Sequence, residues 1–371
     1  MNLLLNFLLL SLFGLIKTDL LSKCRLQNPS PYGTGIGFPR VKNRVNSVGI
    51  LNVSVLFVDF NDNPANRTTQ DIFSIISPTS EAFFFKSSYG RLQVKLRPYF
   101  KWLRMSKRSI DYNMSPSISY TAQKAYISEA SSLAKGWDFS TSQLIVVMTN
   151  PYVYAVPYGP TFNANLGGGF TVNGKVFENA VSSGKDLLYW KGYWLNHEMS
   201  HAMGLPDLYE YASGSQFKFT GGWSIMGNIN GLGREYFGWE RWLLGWIQDS
   251  QIICGTFTIH SYLRVTLTAI EIPNGLKLIV VPIAENKAVV IESRKKYGFD
   301  DKITKPGLLV YLVDSSSRGG TGPIKVLPLN LNDNNKMNAT MSVGSEFNYE
   351  NIKIFYQSSS STTDDVIVFK H

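Results

Sequence analysis

The chain has 371 residues, 44% apolar and 17% charged, a composition that excludes wholesale disorder and suits two packed domains. Its two Cys exclude a disulfide-dense scaffold and a four-Cys zinc cluster. The net charge of +9 is thinly spread: the densest basic stretches, Lys101 to Arg108 and Arg294 to Lys296, are short and carry no recognition motif, so no nucleic-acid partner is expected.

Leu3 to Ile16 is apolar except for Asn6, Ser11 and Gly14. As a helix this run spans about 21 Å, short of the roughly 30 Å hydrocarbon core. It predicts a secretory signal peptide over residues 1–22, cleaved between Ile16 and Lys23, and no membrane span. A buried first helix is the alternative. Secretion makes a Cys24–Cys254 disulfide the expected state, with an inhibitory Cys24 thiolate as the competing idea. Sequons begin at Asn52, Asn66, Asn113 and Asn338; they are compatible with secretion without arguing for it.

Residues 23–47 form a lead-in, rich in Pro and Gly from Gln27 to Arg40, that predicts irregular chain. From Val48 the near-continuous apolar run VGILNVSVLFVDF predicts a strand buried on both faces. Thr79 to Tyr89 reads as a helix, Leu92 to Tyr99 as a strand, Tyr120 to Leu133 as a helix and Leu144 to Met148 as a second buried strand. This alternation predicts a mixed α/β sheet domain over 48–250. From Gln251 the texture changes to short β-rich runs such as LKLIVVPI, AVVIESR, GLLVYLV and DVIVFK, which predict an all-β module over 251–371.

The chemistry concentrates in HEMSHAMGLPDLY, residues 197–209, which contains His197-Glu198-x-x-His201. With four His and twelve Glu in the chain, random placement yields this pentad about 0.001 times. On a helix, positions i and i+4 share a face, so both imidazoles can reach one ion, and zinc suits imidazole nitrogen. Glu198 stands about 100° round the axis from His197, where it can meet a water without ligating the metal. Gly204 permits the positive φ that ends a helix and Pro206 prevents its resumption, so the chain should turn back and bring Asp207 towards the ion. The preceding LLYWKGYWLN is apolar enough to seat the helix in a core, with Gly192 a local cost. The competing reading is that the two His are ordinary surface or core residues of an amphipathic helix.

Taken together, HExxHxxGxxD from His197 to Asp207, GGWSIMG at 221–227 and FGWERWLLGWI at 237–247 resemble the M6 peptidases, the immune inhibitor A-like group of metzincins. Val53 to Asp59, SSYGRLQV at 87–94, IESRKKYGFDDKI and GLLVYLV extend the resemblance over about Val48 to Val313. It implies an α+β fold: a metzincin-like catalytic domain with a twisted mixed sheet and an active-site helix, then an all-β sandwich-like domain. It implies a zinc endopeptidase acting on proteins or peptides, with His197, His201 and Asp207 as zinc ligands; with the signal segment the expectation is a secreted protein, and a monomer is expected. Glu198 is then the general base for a metal-activated water, and Met226 the Met-turn residue; plain core packing is the competing reading of Met226.

Several assignments stay open at this stage. Gly167 to Gly169 with Phe170 is a candidate for the substrate-lining edge, against a loop of no special role. Tyr209, Tyr211 and Tyr236 are candidate oxyanion donors. Calcium is a second candidate cofactor through Asp59, Asp62, Asp300 and Asp301, against ordinary turns. Two functional alternatives remain: a thermolysin-like peptidase whose third ligand is Glu235 or Glu240, and a secreted binding or adhesion protein that keeps the fold without turnover.

Overall fold

The computed structural model describes residues 21–370 apart from 31, 165–167, 257–260 and 331. The apolar run Leu3 to Ile16, nearly all of the expected signal segment, and Gly167 lie outside the described residues. The elements follow in order: β1 (Gly49–Phe60), α1 (Thr69–Phe73), α2 (Thr79–Ser87), β2 (Leu92–Met105), α3 (Tyr120–Leu133), β3 (Leu144–Thr149), β4 (Thr161–Asn163), β5 (Phe170–Val172), β6 (Lys175–Phe177) and β7 (Asn179–Ser182). Then come α4 (Asp186–Trp190), α5 (Gly192–Ala202), α6 (Gly238–Leu243), β8 (Ile252–Cys254), β9 (Tyr262–Thr268), β10 (Leu278–Ala284), β11 (Lys287–Arg294), β12 (Gly307–Asp314), β13 (Ile324–Val326), β14 (Glu346–Tyr349), β15 (Ile352–Ser359) and β16 (Thr363–Lys370).

The first sheet has the order β2-β1-β3-β7-β4. Its first four strands are mutually parallel, and β4 runs antiparallel to β7 at the edge. The side-chain period of two divides the apolar runs of β1 and β3 between two cores. Val53, Val55, Phe57, Leu144, Val146 and Met148 point to one, Leu56, Val58, Phe60, Ile145 and Val147 to the other. Helix α3 covers the second face with Tyr126, Ile127 and Ala130. Helices α2 and α5 cover the first with Phe83, Phe84, Trp194, Leu195 and Met199.

The apolar run before the HExxH pentad is two helices rather than one. Lys191 has a positive φ of 52° and breaks it, and Gly192 starts α5. The break lets α2 approach: a Cβ on Gly192 would stand 3.2 Å from Thr79 Cβ, and Ser80 Oγ donates to the Gly192 carbonyl at 3.1 Å. Gly192 is therefore a point of close contact between helices, not merely a cost.

Beyond residue 250 the strands form sheets of order β13-β12-β11-β10-β8 and β14-β15-β16-β9. Ile279, Val289, Ile291 and Val310 of the first pack on Val265, Ile354, Val366 and Val368 of the second, a two-layer β arrangement. The opposite face of the five-stranded sheet contributes Leu278, Val280, Val290, Leu309 and Tyr311 to the core that seats α5. The change in sequence texture at Ser250 thus does not coincide with a gap in the core.

The lead-in is built into this arrangement. Cys24 and Cys254 form a disulfide across 230 positions of sequence. Gly35 N–H donates to the Gly204 carbonyl at 3.0 Å, Val45 N–H to Ala202 at 3.0 Å and Arg40 Nη1 to Met203 at 2.8 Å. Three carbonyls at the α5 C-terminus, which no helical N–H can reach, are satisfied in this way. Among the described residues no helix is long and apolar enough to cross a membrane.

Candidate metal centre

Helix α5 ends as its sequence predicts. Gly204 takes φ +103°, Leu205 N–H donates to the Ser200 carbonyl at 3.0 Å and Gly204 N–H to His201 at 2.9 Å. This paired closure is the Schellman C-cap. The chain then reverses, and Leu208 N–H is held by the Met226 carbonyl at 2.9 Å. Asp207 is thereby returned to the helix face that carries His197 and His201.

Each imidazole is oriented from behind. His197 Nδ1 lies 2.9 Å from the Ile225 carbonyl, and His201 Nδ1 lies 2.7 Å from Leu205. A carbonyl only accepts, so each Nδ1 carries the proton and a neutral ring presents a bare lone pair at Nε2. The two Nε2 atoms are 3.1 Å apart, and Asp207 Oδ1 lies 3.1 Å from one and 3.3 Å from the other. Asp207 Oδ1 is buried with no hydrogen-bond donor among the described residues. Three acceptor atoms therefore converge with nothing but a cation or a shared proton to reconcile them. The same crowding shows in the electrostatics: burial pulls the His201 pKa down, but the Asp207 charge outweighs it and lifts it to about 9. Burial likewise pushes Asp207 up, and the two imidazoles outweigh it, holding the carboxylate well below its usual range.

The donor set fits zinc. Two imidazoles and one carboxylate, all within 4.8 Å of one another, make the one such group among the described residues. Ligands at about 2.0–2.1 Å from a tetrahedral ion stand about 3.3 Å apart, which matches the three separations. The carbonyl behind each ring fixes the tautomer that a metal requires.

Glu198 shares the cleft, of about 850 Å³, with His197, His201 and Asp207. Its Oε2 accepts from Thr161 N–H at 2.9 Å and from Thr161 Oγ1 at 2.6 Å. Two residues along β4, on the same face, Asn163 Nδ2 donates to the His201 carbonyl at 2.9 Å. The edge strand of the sheet thus both holds Glu198 and braces the helix that carries the two histidines. Asp186, Tyr158 and Trp190 line the same cleft, and burial pushes the Asp186 carboxyl up to about 7.

Other sequence-derived candidates fall elsewhere. Phe170 is buried against Phe162 and Phe177, and the Gly168 carbonyl accepts from Lys124 Nζ at 3.1 Å and from Tyr120. The strand beside the cleft is β4, because β4 rather than the glycine segment pairs with β7. Tyr236 is wholly buried with its hydroxyl against Ser200 Oγ at 2.6 Å, leaving Tyr209 and Tyr211 in the cleft. Glu235 is held by Arg241 at 2.6 Å and Ser87 at 2.7 Å, and Glu240 caps α6 through Phe237 N–H at 2.9 Å; neither joins the metal group. Met226 is fully buried in the core that seats α5. Three of the four calcium candidates are engaged as well: Asp59 by Arg104 at 2.7 Å, Asp62 by Ser109 at 2.8 Å and Asp300 by Arg294 at 2.5 Å.

Thr161, Asn163 and Asp186 escape a reading of the sequence. A three-residue strand carries no periodic signal for the first two, and Asp186, eleven positions before His197, belongs to no motif. No protein-family model and no curated protein matches this sequence.

Proposed function

We propose that the protein is a secreted zinc-dependent endopeptidase of metzincin type, related to the M6 peptidases that the sequence resembles. The observation that carries the reading is the convergence of His197 Nε2, His201 Nε2 and Asp207 Oδ1 in a cleft that also holds Glu198. Zinc bound there would act as a Lewis acid towards a scissile carbonyl and lower the pKa of a water. Glu198, steadied by Thr161, takes the proton of the attacking water and passes it to the leaving amine. Tyr211 donates its hydroxyl to Asp207 Oδ2 at 2.7 Å, and Tyr209 stands beside the same carboxylate in the cleft; both remain candidate donors to the developing oxyanion. Burial and the Asp207 charge raise the Tyr209 pKa, so its proton stays in place. An extended polypeptide is the substrate that suits an antiparallel edge strand beside the cleft. The disulfide supports an oxidising compartment.

The test is hydrolysis of casein or gelatin with and without a chelator, alongside Glu198→Gln. Activity should vanish on chelation and return with zinc. The variant should retain zinc and lose at least about 10²-fold in turnover. Chelator-insensitive hydrolysis, or a fully active variant, would overturn the reading, and inactivity with zinc bound would favour a binding protein on this fold.

A further inference from the structure

The third ligand of the site does not stand on the ligand helix. It stands on the returning chain, and that chain rests against the loop between β12 and β13. Gly320 N–H donates to the Asp207 carbonyl at 3.1 Å, and Tyr211 N–H donates to the Gly320 carbonyl at 3.2 Å. The Tyr211 ring lies where a Gly320 side chain would be: a Cβ there would stand 2.2 Å from Tyr211 Cγ and Cδ2. Gly320 has φ +74°, so the position favours glycine on conformational grounds too. Next to it, a Cβ on Gly319 would stand 3.2 Å from Pro206 Cβ. The ring held in this notch carries the hydroxyl that donates to Asp207 Oδ2 at 2.7 Å. The carboxylate is thus gripped at one oxygen while the other, Oδ1, is aimed without a donor at both imidazoles.

We propose that Tyr211, seated on Gly320 of the distal β-sheet loop, is the positioning residue for Asp207, and that this loop sets the metal affinity of the site. The inference rests on the reading of Asp207 as a ligand. The physical reason is orientation. A free carboxylate rotates about its terminal bond, and one oxygen pinned by a tyrosine fixes the direction of the other. Hydrogen bonds of this kind to ligating groups are worth about 10–100-fold in metal affinity. The distal sheet is then part of the metal site and not an appended module.

The test measures affinity for free zinc ion by competition with a chromophoric chelator, using the full chain. Tyr211→Phe removes one hydroxyl from an exposed ring and should weaken zinc by about 10–100-fold. Its metal-free thermal midpoint should stay at the wild-type value. In an Asp207→Ala background, Tyr211→Phe should cause no further loss, because there is no carboxylate left to orient. Gly320→Ala should weaken zinc in the same direction by pushing the ring out of its notch; should it fail to fold, Tyr211→Phe carries the test alone. Wild-type affinity for Tyr211→Phe, with Asp207→Ala weakened, would overturn this inference while sparing the ligand assignment. An equal loss on adding Tyr211→Phe to Asp207→Ala would also overturn it. Wild-type affinity for Asp207→Ala would overturn the ligand assignment itself.

Discussion

Thr161 offers a sharp test of how the fold serves the proposed chemistry. Its hydroxyl lies 2.6 Å from Glu198 Oε2 and 2.8 Å from the Glu198 carbonyl, and its N–H gives Oε2 a second bond at 2.9 Å. Thr161→Val keeps the branched shape and the backbone bond but removes the hydroxyl. A hydrogen bond to a charged group contributes about 1.5–3 kcal/mol. Lost wholly from the reacting geometry, it corresponds to about a 10- to 150-fold fall in turnover at 1.36 kcal/mol per decade. The backbone N–H retains part of the hold, so the lower half of that range is expected. Thr161→Ser restores a hydroxyl and should recover most of the loss. Zinc affinity should stay near wild type in both, because Thr161 touches no ligand atom. The assay is kcat on a quenched peptide with zinc content measured in parallel. Wild-type turnover for Thr161→Val, or a Thr161→Ser as impaired as the valine, would refute the reasoning.

Glu235→Ala should leave zinc binding intact but destabilise the protein by about 3–5 kcal/mol, since Arg241 would stay buried without its partner; denaturant unfolding and zinc titration together check this. Lys277 is buried, donates to the Ala269 carbonyl at 2.8 Å and to that of Ile272, and burial lowers its pKa to about 7. The unfolded chain binds that proton up to about pH 10.4, so this residue's contribution to stability should rise between pH 7 and pH 10. The urea midpoint of Lys277→Met should lack that rise, and an identical pH profile in both proteins would count against it. Replacing Cys24 and Cys254 together by Ser should cost about 2–4 kcal/mol, and non-reducing peptide mapping of the wild type should recover the two as one linked peptide pair.

Local rules made much of the molecule legible. The apolar runs of β1 and β3 demanded strands buried on both faces, and both faces are covered. Helix α3 keeps the limits Tyr120 to Leu133 because its apolar spacing and its Ser119 cap act within single turns. The two imidazoles share a face because four residues make little more than one helical turn, and Gly204 turns the chain because only glycine takes its φ cheaply. In each case the cause and the effect lie within a few residues.

What the tertiary structure alone decided involves residues far apart in the chain. Thr161 meets Glu198 across 37 positions because β4 happens to pair with β7 at the sheet edge. Gly320 meets Asp207 only because the five-stranded distal sheet packs into the core that seats α5. Tyr236, a candidate for the cleft on sequence, is withdrawn into that core, whereas Tyr211 stays in the cleft. Lys191 breaks an apolar run that local propensity would have continued, because α2 needs the space that Gly192 leaves. Propensity and spacing act along the chain and choose the helix that presents the two histidines. The orientation of Asp207 and Glu198 depends on which distant backbone arrives beside them, and that is settled by burying two sheets and a helix in one common core.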